Sequence, residues 1–395
     1  MHQQPGSVQL STHLLFVFFL ISAALLSCHQ PETQQAGPAY SGKPLFPDTV
    51  QIKYARGFQL EYHPNYKLLQ VFTSSGKGQD TTRYLLVQRG TPAPGGYPYA
   101  QQIWIPLRSM IGTSSMHVAL ADFADCSGLL TGLEDLRYVF SPAVRERIRK
   151  GLIKGVGVDG NLDNEQVLAL HPDLVMVTKN PGVQSERYGV LQEAGIPVLA
   201  NAEWMETTPL GQAEWVKLMA ALVNKEAAVN RAFDSVETAY QHLAQQGRGA
   251  AGKPAVITGL AYKGTWFVPR GESFMAQFLR DAGAAYPWAA TKGSGNLALS
   301  FESVAPQGLQ ADYWINTSDA VSKTEIADRD RRYADFKPFK NNTIYNNNNQ
   351  VNDQGSNDYW ESAAFHPQII LADLIRIFHP DLLPTHQLVY YKQIK

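Results

Sequence analysis

Cysteine is nearly absent: the 395 residues hold two, Cys28 and Cys126. That excludes a disulfide framework, and a cysteine-rich zinc fold with it. An excess of charge of either sign is lacking as well. Lys and Arg number 34 against 35 Asp and Glu, a net charge of −1, and no basic cluster offers a footing for nucleic acid. Long apolar runs are missing too. The one candidate, residues 14–27, is about fourteen residues, short of the roughly 20 that a membrane-spanning helix needs. The usual catalytic signatures are absent: there is no Walker A sequence, no G-x-S-x-G and no H-E-x-x-H. Gly155-Val156-Gly157-Val158-Asp159-Gly160 fits the spacing G-x-G-x-x-G, but the strand expected to follow ends in Lys179-Asn180, with no acid placed for a ribose. His366, His379 and His386 lie beside Pro or in tail segments without metal-ligand spacing. No catalytic residue, metal site or cofactor is expected.

What is present begins with the apolar run itself. It ends in small residues, as a signal peptide does, and Leu25-Leu26-Ser27-Cys28 looks like a lipobox whose cysteine becomes the lipidated first residue. No Lys or Arg precedes it, a departure from the usual basic start. Residues 29–47, rich in Gln, Pro and Gly, read as a flexible tether. With Cys28 lipidated, Cys126 has no partner and reads as a structural thiol.

From position 48 the pattern changes twice. Residues 50–105 alternate apolar and polar side chains between Gly- and Pro-rich turns, which predicts β-hairpins on the edge of a first lobe, 48–206. From 108 on, strands alternate with helices of about ten residues, the sign of a parallel sheet with crossover helices. The theme repeats over 247–395, a second lobe. The fold class is therefore α/β, two Rossmann-like lobes. Between them, at 207–246, Trp215, Leu218, Met219, Leu222, Val229, Phe233, Val236 and Tyr240 recur at helical steps, and Thr208-Pro209 supplies a cap and a first turn. A single inter-lobe helix is expected, roughly 50 Å long.

The lobes echo each other. Glu165-Gln166-Val167 precedes the strand at 173–177, and Glu302-Ser303-Val304 precedes the strand at 312–316. Each is a Glu opening a helix that feeds a buried strand. Loop residues that could meet between the lobes are Ser115, Met116, His117 and Trp204 on the first, and Lys263, Trp266, Arg270, Tyr359 and Trp360 on the second. Aromatics offer stacking area, and Lys or Arg offers charge for an anionic group.

Over 155–246 these residues resemble a known family. Val156-Gly157 followed by 161–175, then Leu191-Gln192-Glu193-Ala194-Gly195-Ile196-Pro197-Val198 and Pro209-Leu210-Gly211-Gln212-Ala213-Glu214-Trp215, look like the substrate-binding component of an ABC importer in the iron–siderophore/cobalamin group, class III. The likeness extends from about 108 to the end, and the segment before 105 departs from shorter members. It implies two lobes on one rigid helix, and a lipid-anchored periplasmic monomer that is not an enzyme. Such a protein captures a ferric siderophore, or a corrinoid, and delivers it to a permease dimer. It also implies docking through one Glu per lobe, here Glu165 and Glu302. Glu165 stands seven residues before Pro172, as in the family, whereas Ala311 replaces the second Pro. Glu214 on the linking helix is a further candidate. The rival is a periplasmic hydrolase or metal-handling enzyme on a similar scaffold, which would need a convergent acid/base pair that the sequence does not offer.

Overall fold

The computed structural model describes residues 2, 40–75, 78–158, 160–178 and 185–395. Cys28 and the apolar run before it lie outside the described residues. Among those described, no helix is long and apolar enough to cross a membrane.

Two parallel sheets form the two lobes. The first has five strands in the order Val198–Asn201, Val175–Thr178, Met110–Gly112, Leu130–Leu133 and Lys154–Gly155, every pair parallel. Val175, Met176 and Val177 are all buried, as a strand covered by helices on both faces must be. The second sheet runs Val256–Thr258, Tyr313–Ile315, Ile344–Asn346 and Lys392–Gln393. Its first three strands are parallel and the last is antiparallel. A hairpin, Trp266–Pro269 with Asn296–Leu299, flanks it.

The segment before 105 makes a sheet of its own. Phe58–Tyr62, Tyr66–Ser75 and Gly78–Gln88 form antiparallel hairpins, as the alternation predicts. The fourth strand, Gln101–Ile105, instead pairs parallel to the third. The turn-rich stretch 89–100 carries the chain back across the sheet, so the two strands point the same way.

The expected single helix over 207–246 is three helices. Pro209–Ala213 is capped by Thr208, whose hydroxyl accepts from Gly211 N at 3.0 Å. Val216–Val223 ends at Asn224, and Glu226–Arg248 follows. The periodicity continues across the break, but Asn224 is left-handed at φ 55°, a region that asparagine enters more readily than most side chains. Tertiary contacts hold it there. Its side chain accepts from Lys67 Nζ at 2.7 Å and donates to Gln88 at 2.8 Å. The last helix, 23 residues, is about 35 Å long. It runs through Gly247 rather than stopping there, because a bare Cα lets the helix press on the Asp281-Ala282 backbone.

The first described segment is bound to these helices by buried carboxylates. Glu214 accepts from the backbone N–H groups of Lys53, Tyr54 and Ala55 at 2.9, 2.6 and 2.9 Å, and from Lys217 Nζ at 2.7 Å. Glu206 accepts from Arg56 N, Gly57 N and Trp215 Nε1. Lys67 Nζ bonds Glu226 and the Ala221 carbonyl, fully buried. Glu214 therefore cannot serve as an exposed docking group, correcting that expectation.

Candidate functional site: the cleft between the lobes

A cavity of about 1050 Å³ lies between the lobes. The first lobe contributes Ser115, Met116 and Tyr138, and the linking helices contribute Pro209 and Gln212. The second lobe supplies most of the wall: Phe267 from the hairpin, Phe274, Met275 and Phe278 from the helix Phe274–Asp281, and Tyr359 and Trp360 from a short turn. Asparagines at 296, 316, 347, 348 and 357 complete it. A second hollow of about 360 Å³ adjoins it at the C-terminal ends of the first sheet's strands, and shares Ser115 and Tyr138. Strand C-termini are where parallel α/β sheets leave room for ligands.

Local structure explains who faces the cavity. Ser114 caps the helix Ser115–Phe123, its hydroxyl accepting from Met116 N, and the cap sets Ser115 and Met116 at the rim. Asn357 caps the turn Asp358–Trp360. Tyr359 is packed edge-on between Trp360, Tyr390 and Tyr391, which fixes its ring in the wall. Trp360 is 63% exposed. An indole that open, in an otherwise ordinary wall, has stacking area to offer.

Of the residues expected to bind ligand, the structure brings Ser115, Met116, Tyr359 and Trp360 together around the cavity. His117 and Trp266 are corrections. His117 is fully buried behind the rim, its Nδ1 accepting from Thr113 N at 3.1 Å. Burial pushes its pKa down to about 3, so it is a neutral ring inside the lobe. Trp266 is a core side chain, donating to Thr258 O at 2.9 Å and stacked on Phe336. Period-two alternation in the strand sends its neighbour Phe267 outward to the cavity instead. Trp204, Lys263 and Arg270 are not among the cavity walls either. Lys263 occupies a turn tip at φ 48°, over the Tyr262 ring, and Arg270 donates to the Lys292 carbonyl. The sequence reading missed Phe274, Phe278, Gln212 and the asparagines. The run 346–349 leaves the C-terminal end of the strand Ile344–Asn346, whose place in the second sheet no local pattern gives away.

One wall bridges the lobes. Glu361, from the second lobe, is buried and accepts from Phe140 N at 2.7 Å and Ser141 N at 2.8 Å, next to the start of the helix Pro142–Arg149. Asn352 donates to Val139 O, Arg145 to Gln354, and Ser115 to Trp360 O. Residues 352–361 thus clasp the first lobe along one side of the cavity.

Glu165 and Glu302 take equivalent places. Each is the second residue of its helix, behind Asp163 in Asn164–Leu170 and behind Ser300 in Phe301–Gly308. Both are exposed. Glu302 pairs with Arg332 at 3.1 Å, and its own backbone N–H at the helix start, together with Arg332, holds its carboxyl below the usual range.

Two further groups stand out by burial. Cys126 is half-buried, and desolvation pushes its thiol up to about 12, which suits an unreactive side chain. Glu203 is buried, with one carboxyl oxygen lacking a partner among the described residues, and burial pushes it up from 4.5 to about 7. The folded state then holds a proton that the unfolded state has released. Stability from this group is complete below its unfolded value and is lost as pH rises through 7. Thermal melts of Glu203→Gln are expected to lose less between about pH 5 and pH 8 than wild-type melts do.

A cleft between two parallel-sheet lobes, held by helices rather than by hinge strands, defines a substrate-binding class, and the comparisons agree. The periplasmic binding protein family matches residues 138–350, more than half of the chain. The chain belongs to that family and has the fold of its class III members. An uncharacterized lipoprotein of Methanocaldococcus jannaschii is 25% identical over 362 residues, covering 84% of this chain and 83% of its own. A second lipoprotein of that organism is 21% identical, covering 87% of each. Among solved structures, the periplasmic heme binding protein HutB of Vibrio cholerae is 16% identical with a TM-score of 0.52, over 67% of this chain and 98% of its own. The triscatecholate siderophore binding protein FeuA of Bacillus subtilis, complexed with ferri-bacillibactin, is 14% identical with a TM-score of 0.52, over 71% and 95%. Family and fold are those of binding proteins that work in transport.

Proposed function

We propose that this chain is the substrate-binding component of an ABC importer. It captures a metal chelate, a ferric siderophore or a corrinoid, between its lobes and hands it to a membrane permease. The observation that carries this reading is the cavity itself. About 1050 Å³ lies at the upper end of small-molecule sites. That volume suits a chelate of siderophore or corrinoid scale and is far too large for a bare ion.

The geometry supports capture and delivery in three ways. Aromatic faces and amide edges meet in the cavity, area for stacking and donors for orientation. The helices between the lobes and the clasp at 352–361 restrict the lobes to small movements. Glu165 and Glu302, one per lobe at matching helix starts, give a permease two exposed carboxylates for orientation-fixing ion pairs. A lipid on Cys28 would hold the monomer near that permease and raise its effective concentration; the lipoprotein relatives support an anchor at the membrane.

Tryptophan-quenching titration with ferric siderophores, haem and cobalamin tests the reading. One of these is expected to bind, and Trp360→Ala to weaken it about 10- to 100-fold, the loss typical of a central aromatic contact. Turnover of an ester or phosphate, with no quenching by any chelate, would favour the enzyme alternative.

A further inference from the structure

Among the described residues, no Lys or Arg lines the main cavity. Its one charged wall residue among those described is an acid, Asp319. Asp319 pairs with Arg329 at 2.7 Å, and that hydrogen bond keeps it ionised. In the adjoining hollow Asp135 is paired with Arg137, and Arg187 donates to the Gly160 carbonyl. Lys263 and Arg270 lie elsewhere. What the main cavity offers instead is amide: Gln212, Asn296, Asn316, Asn347, Asn348 and Asn357.

These amides are not interchangeable. Asn316 accepts from Tyr391 and Asn357 donates to the Asn347 carbonyl, so both are fastened to the wall. Asn346 and Asn349, the outer members of the asparagine run, bind the backbone at Ser318, Ala320 and Leu388. They hold Asn347 and Asn348 at the cavity. Asn348 spends only one long bond, 3.4 Å to Ala320 O, and its side-chain oxygen has no partner among the described residues. Asn296 is exposed at the rim. Within the low-complexity run, two members anchor it and two line the cavity.

We propose that the cleft selects a metal chelate carrying no net negative charge, recognised at its edge by these amides and on its face by Trp360 and Phe267. This rests on the reading of the cleft as a chelate site. An anionic chelate would surrender its hydration in a main cavity whose described walls hold amides and one ion-paired carboxylate but no lining cation to replace the water, which disfavours binding. An uncharged chelate rimmed with amide, hydroxyl or hydroxamate oxygens meets donors and acceptors of matching kind. Lys263 and Arg270, expected to supply charge for an anionic group, are not among the walls of this cavity.

The full chain is titrated at fixed salt with three probes, read by tryptophan quenching: an uncharged ferric trihydroxamate and a trianionic ferric tricatecholate of similar size, and the larger cyanocobalamin. At least one uncharged probe is expected to bind about 100-fold more tightly than the tricatecholate. Asn296→Arg, at an exposed position, is expected to narrow that gap about tenfold. Equal or tighter binding of the tricatecholate overturns the charge selection while leaving the chelate reading standing. An unchanged gap in Asn296→Arg overturns the assignment of selection to these amides. Binding of none of the three overturns the chelate reading itself.

Discussion

Reversing both exposed glutamates, Glu165→Arg with Glu302→Arg, is expected to reduce uptake about 100-fold while leaving ligand affinity in solution unchanged. Each residue is the second of a helix and neither lines the cavity. On the proposed docking role, a change in either acts on the permease contact and not on the ligand. Reversal turns an attraction into a repulsion at each contact, and the two sites belong to different lobes, so the single variants should each cost about tenfold and combine without coupling. Stability should move little, because both side chains sit in solvent and the Arg332 pair with Glu302 is a surface pair of small worth. Uptake assays beside solution titrations of the same variants separate docking from capture. Full uptake in the double variant would refute docking by this pair.

The largest effect on the fold itself is expected from Glu214→Ala. This carboxylate holds three successive backbone N–H groups and neutralises the buried ammonium of Lys217. Removing it strips the buried Lys217 of its carboxylate, leaving the Gln51 carbonyl and the Phe233 ring, and breaking a buried pair in this way costs about 3–5 kcal/mol. For a protein of this size that corresponds to a fall in Tm of about 5 °C. Glu214→Gln, keeping an acceptor oxygen but not the charge, should fall between. Differential scanning calorimetry with Glu165→Ala as the surface control decides it. A loss no larger than the control's would mean that segment 53–55 is held by packing alone.

These two glutamates show what was legible in the sequence. Glu165 and Glu302 could be read because each belongs to a local pattern, an acid at a helix start before a buried strand, and local patterns survive in a linear string. The lobes, their parallel sheets and the capping residue Thr208 were legible for the same reason. Glu214 was not, because its partners Lys53, Tyr54 and Ala55 are about 160 positions away. The break at Asn224 was hidden likewise: the apolar stripe continues through it, and only Lys67 and Gln88, from the N-terminal sheet, pull it left-handed. In the cleft, Trp266 was read as a ligand contact, whereas the wall aromatic is its neighbour Phe267. Only the hairpin register says that the first is core and the second is wall. The asparagine run carries no hydrophobic period, so its placement became visible only with the sheet.

The central claim is that a chelate is carried between the lobes. The most direct measurement is native mass spectrometry of the protein purified with its cargo, wild type beside Trp360→Ala. The account predicts one stoichiometric adduct of chelate mass on the wild type, largely lost from the variant. A wild type that carries no adduct even after incubation with ferric siderophores, haem and cobalamin, or an adduct retained undiminished when Trp360 is removed, would contradict it.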